Sequence, residues 1–361
     1  MNKLRIGVVG LRFGKTWMNG FHRHPACTVA CLCDLYSEVL AEASESLGGT
    51  STTTDFDELL ADDGIDVVAL FTPAPLHGKQ AAAALRAGKH VLCAVPAAYT
   101  VEDCRNVVAA VQESGRVYML AENWPYEPSI LKAQQLYRDG KLGTIYYGEA
   151  EYFHHLESLW QNRDGSTSWR YGREALLYPT HGVGPYLHMT GDRFVEATGY
   201  AASPDGLPDG EKYPGNWLEM AVFRSERGTL FKLMNSFCNA HPGGHYYTLN
   251  GNLGTFETAR GKKARTVATY WLHGETPKEM QREKCQYPPL PDYARNMGAH
   301  SGTAVAIIHD FVEAVLKGAV IPIDVMLACD MTLPGICAVE SLRTGKTVTI
   351  PDPREWESSD Q

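Results

Sequence analysis

The sequence predicts an α/β protein: a doubly wound parallel sheet, then a second α/β domain with an open, mainly antiparallel sheet. Short, uniformly apolar runs alternate with segments of helical periodicity over about the first 120 residues, the pattern of strand–helix–strand units on a parallel sheet. Beyond residue 123 the runs lengthen, mix polar with apolar residues and are separated by turn residues, as in an antiparallel sheet. The 361 residues, 44% hydrophobic and 21% charged, suit a globular chain of about two domains. The expected division is 1–122 and 123–361.

Taken in order, Arg5–Gly10 is an apolar run closed by glycine, a buried strand, and Lys15–His24 follows as a helix. Thr28–Cys33 is the second strand and ends at Asp34; Glu38–Leu47 has helical composition and is stopped by Gly48-Gly49. Asp55–Ala61 reads as a short helix, and Ile65–Thr72 as a strand broken by Pro73 and Pro75. Gly78–Ala87 is an alanine-rich helix, Val91–Cys93 a strand. Thr100–Ser114 places Val101, Cys104, Val107, Val108 and Val111 at helical spacing, with Thr100 suited to the N-cap and Glu102-Asp103 to the first turn. Val117–Ala121 is the next strand. In the second domain, Tyr146–Phe153, Trp217–Arg224, Thr229–Cys238, Tyr246–Asn250 and Thr266–Leu272 read as strands, Val305–Leu316 as a helix and Pro351–Gln361 as a loose tail. No internal repeat or low-complexity segment stands out.

The net charge of −9 lacks the positive field that gathers nucleic acid or anionic lipid, so neither is expected as a partner. No uninterrupted apolar run approaches the length of a membrane span, and Met-Asn-Lys-Leu-Arg runs straight into a strand without a signal peptide; the expected compartment is the cytoplasm. The nine cysteines are scattered along the chain, unlike a disulfide framework. Cys27, Cys31 and Cys33 suit strand packing better than a metal site, because no partner pair follows at finger spacing.

Parallel sheets bind ligands at the carboxyl ends of their strands. At the first such end stands Gly10-Leu11-Arg12-Phe13-Gly14-Lys15. A dinucleotide turn wants one glycine for the bend, one for close approach of the pyrophosphate and one for helix packing. Gly10 fits the first, Arg12 stands at the second, and Gly14 lies one place early for the third. Asp34, 24 residues beyond Gly10, is placed to accept from a ribose 2′-hydroxyl and to repel a 2′-phosphate, which favours NAD over NADP. The competing reading is a plain turn with Asp34 as a helix cap.

Further ends carry Thr72-Pro73-Ala74-Pro75-Leu76-His77 and Gly88-Lys89-His90-Val91-Leu92-Cys93-Ala94-Val95-Pro96. With these motifs, and with Asp139–Gly143, Trp169-Arg170, His181 and Gly251–Glu257, nearly the whole chain resembles the Gfo/Idh/MocA oxidoreductases, glucose–fructose oxidoreductase and inositol dehydrogenase among them. The resemblance implies an N-terminal Rossmann domain (1–122) that binds NAD and a substrate-binding and oligomerisation domain (123–361), hence a homodimer or homotetramer. It departs at two places. Val95 stands where the family carries a lysine credited with proton transfer at the substrate hydroxyl, and Leu177 stands where it tends to place an aspartate. His181 remains.

Tyr178-Pro179-Thr180-His181-Gly182-Val183-Gly184-Pro185 is similar to the signature of the family's NAD-dependent glycosidase branch, typified by α-N-acetylgalactosaminidases, which also carries Val-Pro, an asparagine like Asn123 and a tyrosine like Tyr152. Ala94 departs from that branch's usual glutamate. The resemblance implies a cofactor site of Gly10, Arg12, Phe13, Gly14, Asp34, Thr72, Pro73, Ala74, His77, Ala94, Val95, Pro96 and Asn123, with catalytic His181 and Tyr178 and substrate-side Tyr152. The implied chemistry oxidises a sugar hydroxyl, which acidifies the neighbouring C–H and permits elimination at the next carbon; water then adds and the hydride returns. Histidine titrates near neutral pH and suits such proton transfer; a phenol donates to a developing oxyanion. Two alternatives stay open: a conventional sugar or polyol dehydrogenase that releases NADH, and a non-catalytic NAD- or sugar-sensing protein.

His154-His155, His241, His245, Tyr246, Tyr247 and His300-Ser301 are further polar aromatics of the second domain. Arg170, His155 and His300 are taken as substrate-side candidates, since histidine and arginine bond sugar hydroxyls. Trp124, Trp160, Trp169 and Trp217 suit core or interface. No His-x-x-x-His spacing places two imidazoles on one helix face, so no metal is expected.

Overall fold

The computed structural model describes residues 3–203, 215–238, 241–275, 278–289, 292–294 and 302–356. The chain divides into two compact units, residues 1–123 with 288–329 and 353–361, and residues 124–287 with 330–352. Residues 288–329 and 353–361, expected in the second domain, therefore group with the first unit.

The first unit alternates β1 (Leu4–Val9), α1 (Leu11–Arg23), β2 (Cys27–Cys33), α2 (Ser37–Ser46), β3 (Ser51–Thr53), α3 (Phe56–Ala61), β4 (Val67–Leu70), α4 (His77–Arg86), β5 (His90–Cys93), α5 (Val101–Ser114) and β6 (Tyr118–Leu120). All six strands run parallel in the order β3-β2-β1-β4-β5-β6. The order reverses between β1 and β4, which is where such sheets open a crevice for ligands. Every residue of β4 is buried, and full burial of each such valine or leucine is worth roughly 1.5–3 kcal/mol. Cys27, Cys31 and Cys33 lie buried in β2. Thr100 caps α5 as expected, its hydroxyl accepting from Asp103 N at 3.0 Å. Two differences have simple causes. α1 starts at Leu11, not Lys15, because the turn is completed within Gly10 alone. β3 lacks an apolar signature because its three residues line an edge and none is buried.

The second unit comprises α6 (Pro128–Arg138), β7 (Ile145–Phe153), α7 (Thr180–Thr190), β8 (Phe194–Ala202), β9 (Leu218–Ser225), β10 (Leu230–Ser236), β11 (Gly244–Gly251), β12 (Gly254–Thr258), β13 (Val267–Leu272) and β14 (Gln281–Lys284). Then come α8 (Thr303–Lys317), α9 (Val325–Thr344) and β15 (Val348–Thr349). The sheet has nine strands in the order β14-β13-β12-β11-β7-β10-β9-β8-β15. It is antiparallel except for the central parallel pair β7–β10.

α8 explains the return to the first unit: Ile307, Ile308, Phe311 and Val312 are at most 1% exposed, and the helix packs on α1. The tail expected to be loose is ordered up to Trp356, which is 7% exposed with the Arg105 guanidinium 5.0 Å over its ring; residues 357–361 lie outside the described residues. α9 corrects the count of apolar runs. It is the one described helix long and apolar enough to cross a membrane, although 72% of its most apolar window is buried inside the protein. Asp330 and Glu340 interrupt it in sequence, so an uninterrupted-run criterion passes over it.

Candidate functional site

In the first unit, β1 hands the chain to α1 through Gly10, at φ +85°. A Cβ there would lie 2.7 Å from the Phe71 carbonyl carbon and oxygen and 2.8 Å from Thr72 N. Only glycine gives both this backbone and this approach of the β4 end to the turn. Gly14 faces the same Phe71, its hypothetical Cβ 3.0 Å from Cδ2, and Trp17 stacks on that ring at 5.1 Å. Gly14 thus does the helix-on-strand packing a dinucleotide turn requires, although it comes one residue early. Arg12 and Phe13 are exposed on the first turn of α1, with the Phe13 ring edge-on to Phe71 at 6.1 Å. That turn carries no acidic residue of its own, and Gly10 at the N-cap position brings no side chain, which suits a diphosphate at the helix start.

The Asp34 carboxylate accepts from Leu11 N at 2.7 Å and from Tyr36 N at 3.1 Å. It is therefore a cap for the turn. A carboxylate has about four acceptor sites, so room for ribose hydroxyls remains. His77, 1% exposed, sets Nδ1 2.8 Å from Pro96 O and Nε2 2.9 Å from Thr72 O. Its ring ties the loop after β4, with Thr72, Pro73 and Ala74, to the loop after β5. Thr72 Oγ1 donates to Gln80 Oε1 at 2.5 Å. Ala94, Val95 and Asn123 are 6%, 8% and 8% exposed, and the Val95–Pro96 peptide is cis. The glycine cradle, the open helix start and the Asp34 carboxylate fit a dinucleotide.

In the second unit, register builds the site. His245 of β11 lies opposite Tyr152 of β7, Tyr152 beside Asn235 of β10, and Asn235 opposite Glu219 of β9. Four strands thus present one row of polar side chains on the face covered by α7. Tyr152, Asn235 and Glu219 are 8%, 0% and 1% exposed. The row holds the segment that leads into α7. Asn235 Nδ2 donates to Ala175 O and Tyr178 O, both at 3.0 Å, and Glu219 accepts from Leu176 N at 2.9 Å. Burial pushes the Glu219 carboxyl up, against the Leu176 N–H and the Asn216 amide that donate to it.

α7 carries His181 in its first turn. Pro185 lies four residues on and has no N–H to give to the His181 carbonyl; the Tyr247 hydroxyl donates there instead. Gly182 lets the helix settle on the sheet, since a Cβ would fall 2.2 Å from Leu233 Cδ1. The rings then converge. Tyr152 lies 5.4 Å from His181, 5.9 Å from Tyr178 and 4.5 Å from His245, and Tyr178 lies 5.1 Å from His181. His245 also packs 3.9 Å from Trp124, which has Tyr247 at 5.2 Å and the Arg265 guanidinium at 4.9 Å as further neighbours. Burial, helped by His181, Arg265 and His154, holds His245 well below the usual histidine range.

The sequence reading paired Tyr178, His181 and Tyr152, and the structure brings these three together. His155 turns away to Glu157, at 3.0 Å. His154, rather than His155, comes against Tyr152, with Nδ1 2.8 Å from its hydroxyl. Strand alternation is the signal for this: Tyr152 and His154 share a face that Phe153 and His155 do not. Arg170 lies over Trp169, at 4.3 Å, and its charge reaches His154. His300 lies outside the described residues. Among the described residues, no group of three or more His, Cys, Asp or Glu side chains could hold a metal ion.

Residues 4–122 match the family described as "Oxidoreductase family, NAD-binding Rossmann fold". These residues form a Rossmann domain of the Gfo/Idh/MocA oxidoreductase family, and the cofactor of that domain is NAD. A "Glycosyl hydrolase family 109 protein" of Solibacter usitatus is 25% identical, over 95% of this chain and 86% of that one. An "Alpha-N-acetylgalactosaminidase" of Shewanella oneidensis is also 25% identical, over 98% of this chain and 85% of that one. Among solved structures, levoglucosan dehydrogenase in complex with NADH and L-sorbose aligns with TM-score 0.82 at 22% identity, covering 98% of this chain and 100% of the other. An oxidoreductase domain protein from Kribbella flavida aligns with TM-score 0.81 at 23% identity, covering 97% and 100%. The fold shared with these two structures therefore extends over both units.

Proposed function

We propose that this Gfo/Idh/MocA protein is an NAD-dependent sugar enzyme that cleaves a glycoside without net redox change. The observation that carries the proposal is the convergence of two phenols and an imidazole, Tyr152, Tyr178 and His181, in a chain whose position 95 is a buried valine. The chain has no lysine at position 95, so the proton transfers are assigned to Tyr152, Tyr178 and His181. Full-length relatives named as glycosidases support the same reading.

NAD, when bound, accepts a hydride from a sugar carbon and later returns it. Gly10, the first turn of α1 and Asp34 would hold its diphosphate and ribose. His181 takes the proton of the hydroxyl being oxidised, and Tyr178 donates to the developing oxyanion. Tyr152 takes the second proton, from the carbon beside the new carbonyl, as the leaving group departs. The sheet face opposite α6 and α7, with Tyr147, Met234 and Val222 part-exposed, is the surface for a second copy of the chain, giving a dimer or tetramer measurable by light scattering.

The test uses p-nitrophenyl glycosides, α-N-acetylgalactosaminide first, in D₂O with no NAD added. Nitrophenol release with deuterium at C2 of the sugar is expected. NADH accumulating in step with sugar consumption would instead identify a conventional dehydrogenase. NAD binding without conversion of any glycoside, sugar or polyol would identify a sensor.

A further inference from the structure

The Tyr152 hydroxyl is 8% exposed as part of its residue, yet it has a route to water. Its oxygen lies 2.8 Å from His154 Nδ1, and His154 as a residue is exposed although its ring is partly covered. The two rings sit two residues apart at the end of β7, their centroids 5.8 Å apart. His245 stacks on the Tyr152 ring, with its Nε2 buried and without a hydrogen-bond partner.

We infer that His154 is the proton relay for Tyr152, joining its phenol to solvent. The inference rests on Tyr152 acting in the sugar site. The resting ring is neutral with its proton on Nε2, so that Nδ1 accepts from the phenol. When Tyr152 takes a proton from the substrate carbon, the C–H and the original Oη–H bonds break, and new Oη–H and Nδ1–H bonds form. The C–H electron pair expels the leaving group at the neighbouring carbon. His154, now an imidazolium, releases its Nε2 proton to water. Water addition runs the same path backwards. The surroundings favour quick release: burial, then His181, Arg170 and His155, all lower the His154 proton affinity, so the cation is short-lived. His154 touches Tyr152 and not the substrate in this scheme, so it is a positioning and relay residue.

The test has two arms on the full-length protein. The first needs no substrate. With ¹⁵N-labelled histidine, NMR should find His154 neutral near pH 7, with its proton on Nε2, and Tyr152→Phe should raise its pKa by about half a unit or more as the donor to the neutral form is lost. A proton on Nδ1, or a titration unchanged by Tyr152→Phe, overturns the relay. The second arm uses His154→Asn, whose amide oxygen replaces Nδ1 as acceptor but cannot carry a proton. On p-nitrophenyl α-N-acetylgalactosaminide, or whichever glycoside the wild type cleaves, kcat should fall by roughly tenfold to a hundredfold, with KM within about threefold. A kcat within about twofold of wild type overturns the relay. A wild type that cleaves no glycoside defeats the functional reading instead, and the NMR arm still decides the relay.

Discussion

Alanine at Gly10 tests how the nucleotide turn is built. The backbone there has φ +85°, which costs an L-residue about 1–2 kcal/mol. The new Cβ would also stand 2.7 Å from the Phe71 carbonyl group and 2.8 Å from Thr72 N. These are backbone atoms of a buried strand end, so relief requires α1 and the β4 end to part, an overpacking cost of about 1–3 kcal/mol. The sum, about 2–5 kcal/mol, is a large share of a typical stability of about 5–15 kcal/mol. Gly48 supplies the control. It has φ +81° and nothing within 4 Å of its hypothetical Cβ, so Gly48→Ala should show the backbone cost alone. Urea unfolding followed by far-UV circular dichroism gives both values, and calorimetric titration gives NAD affinity. Gly10→Ala should exceed Gly48→Ala by at least about 1 kcal/mol and weaken NAD binding, whereas Gly48→Ala should leave binding unchanged. Equal costs for the two variants, or unaltered NAD affinity in Gly10→Ala, would refute the reasoning.

Other outcomes follow from single contacts. Burial, with His309 close by, pulls His24 down from 6.5 to about 4, Glu313 acting in the opposite sense. The unfolded chain therefore binds a proton that the folded one refuses. Stability of up to about 3 kcal/mol is present above pH 6.5 and is lost as pH falls towards 4. His24→Asn should flatten that slope in urea titrations at stepped pH; an unchanged slope would contradict it. Tyr247→Phe removes the hydroxyl that donates to the His181 carbonyl in place of an N–H from Pro185, and should cost about 1–2 kcal/mol in the same assay while lowering kcat. No loss in either would mean water serves equally well there. His181→Ala should cut turnover by roughly a hundredfold or more with NAD binding retained by calorimetry; lost binding or unfolding would assign His181 a structural role.

Particular residues show how far the sequence was legible. The first-unit strands stood out because uniformly buried strands such as Val67–Leu70 leave continuous apolar runs. Thr100 was recognisable as a cap because capping depends on neighbours within three residues. α7 was not recognised, since Pro185, Gly182 and Gly184 argue locally against a helix and only packing on β7 and β10 overrides them. α9 was missed for a similar reason: Pro334 and scattered polar residues break its pattern, and its stability comes from burial. Tyr178 and His181 were found through a motif, eight consecutive residues, and Tyr152 through a similar likeness. His245, Asn235 and Glu219 carry no such mark, because their row exists only through the pairing of β11, β7, β10 and β9, a matter of register between distant segments. His155 was preferred to His154, although parity along β7 favoured the latter. The Asp34 carboxylate was read as a ribose acceptor or a cap, and the bonds it makes to Leu11 and Tyr36 are those of a cap.

The central claim is that NAD stays with the protein and returns its hydride. The direct test is to purify the protein without added nucleotide, dialyse it extensively, denature it and quantify the released nucleotide by liquid chromatography and mass spectrometry. Retention at about one NAD(H) per chain, as expected of a cofactor that is never a co-substrate, is the predicted result. A chain that emerges empty, and converts sugars only while added NAD is consumed, would contradict it.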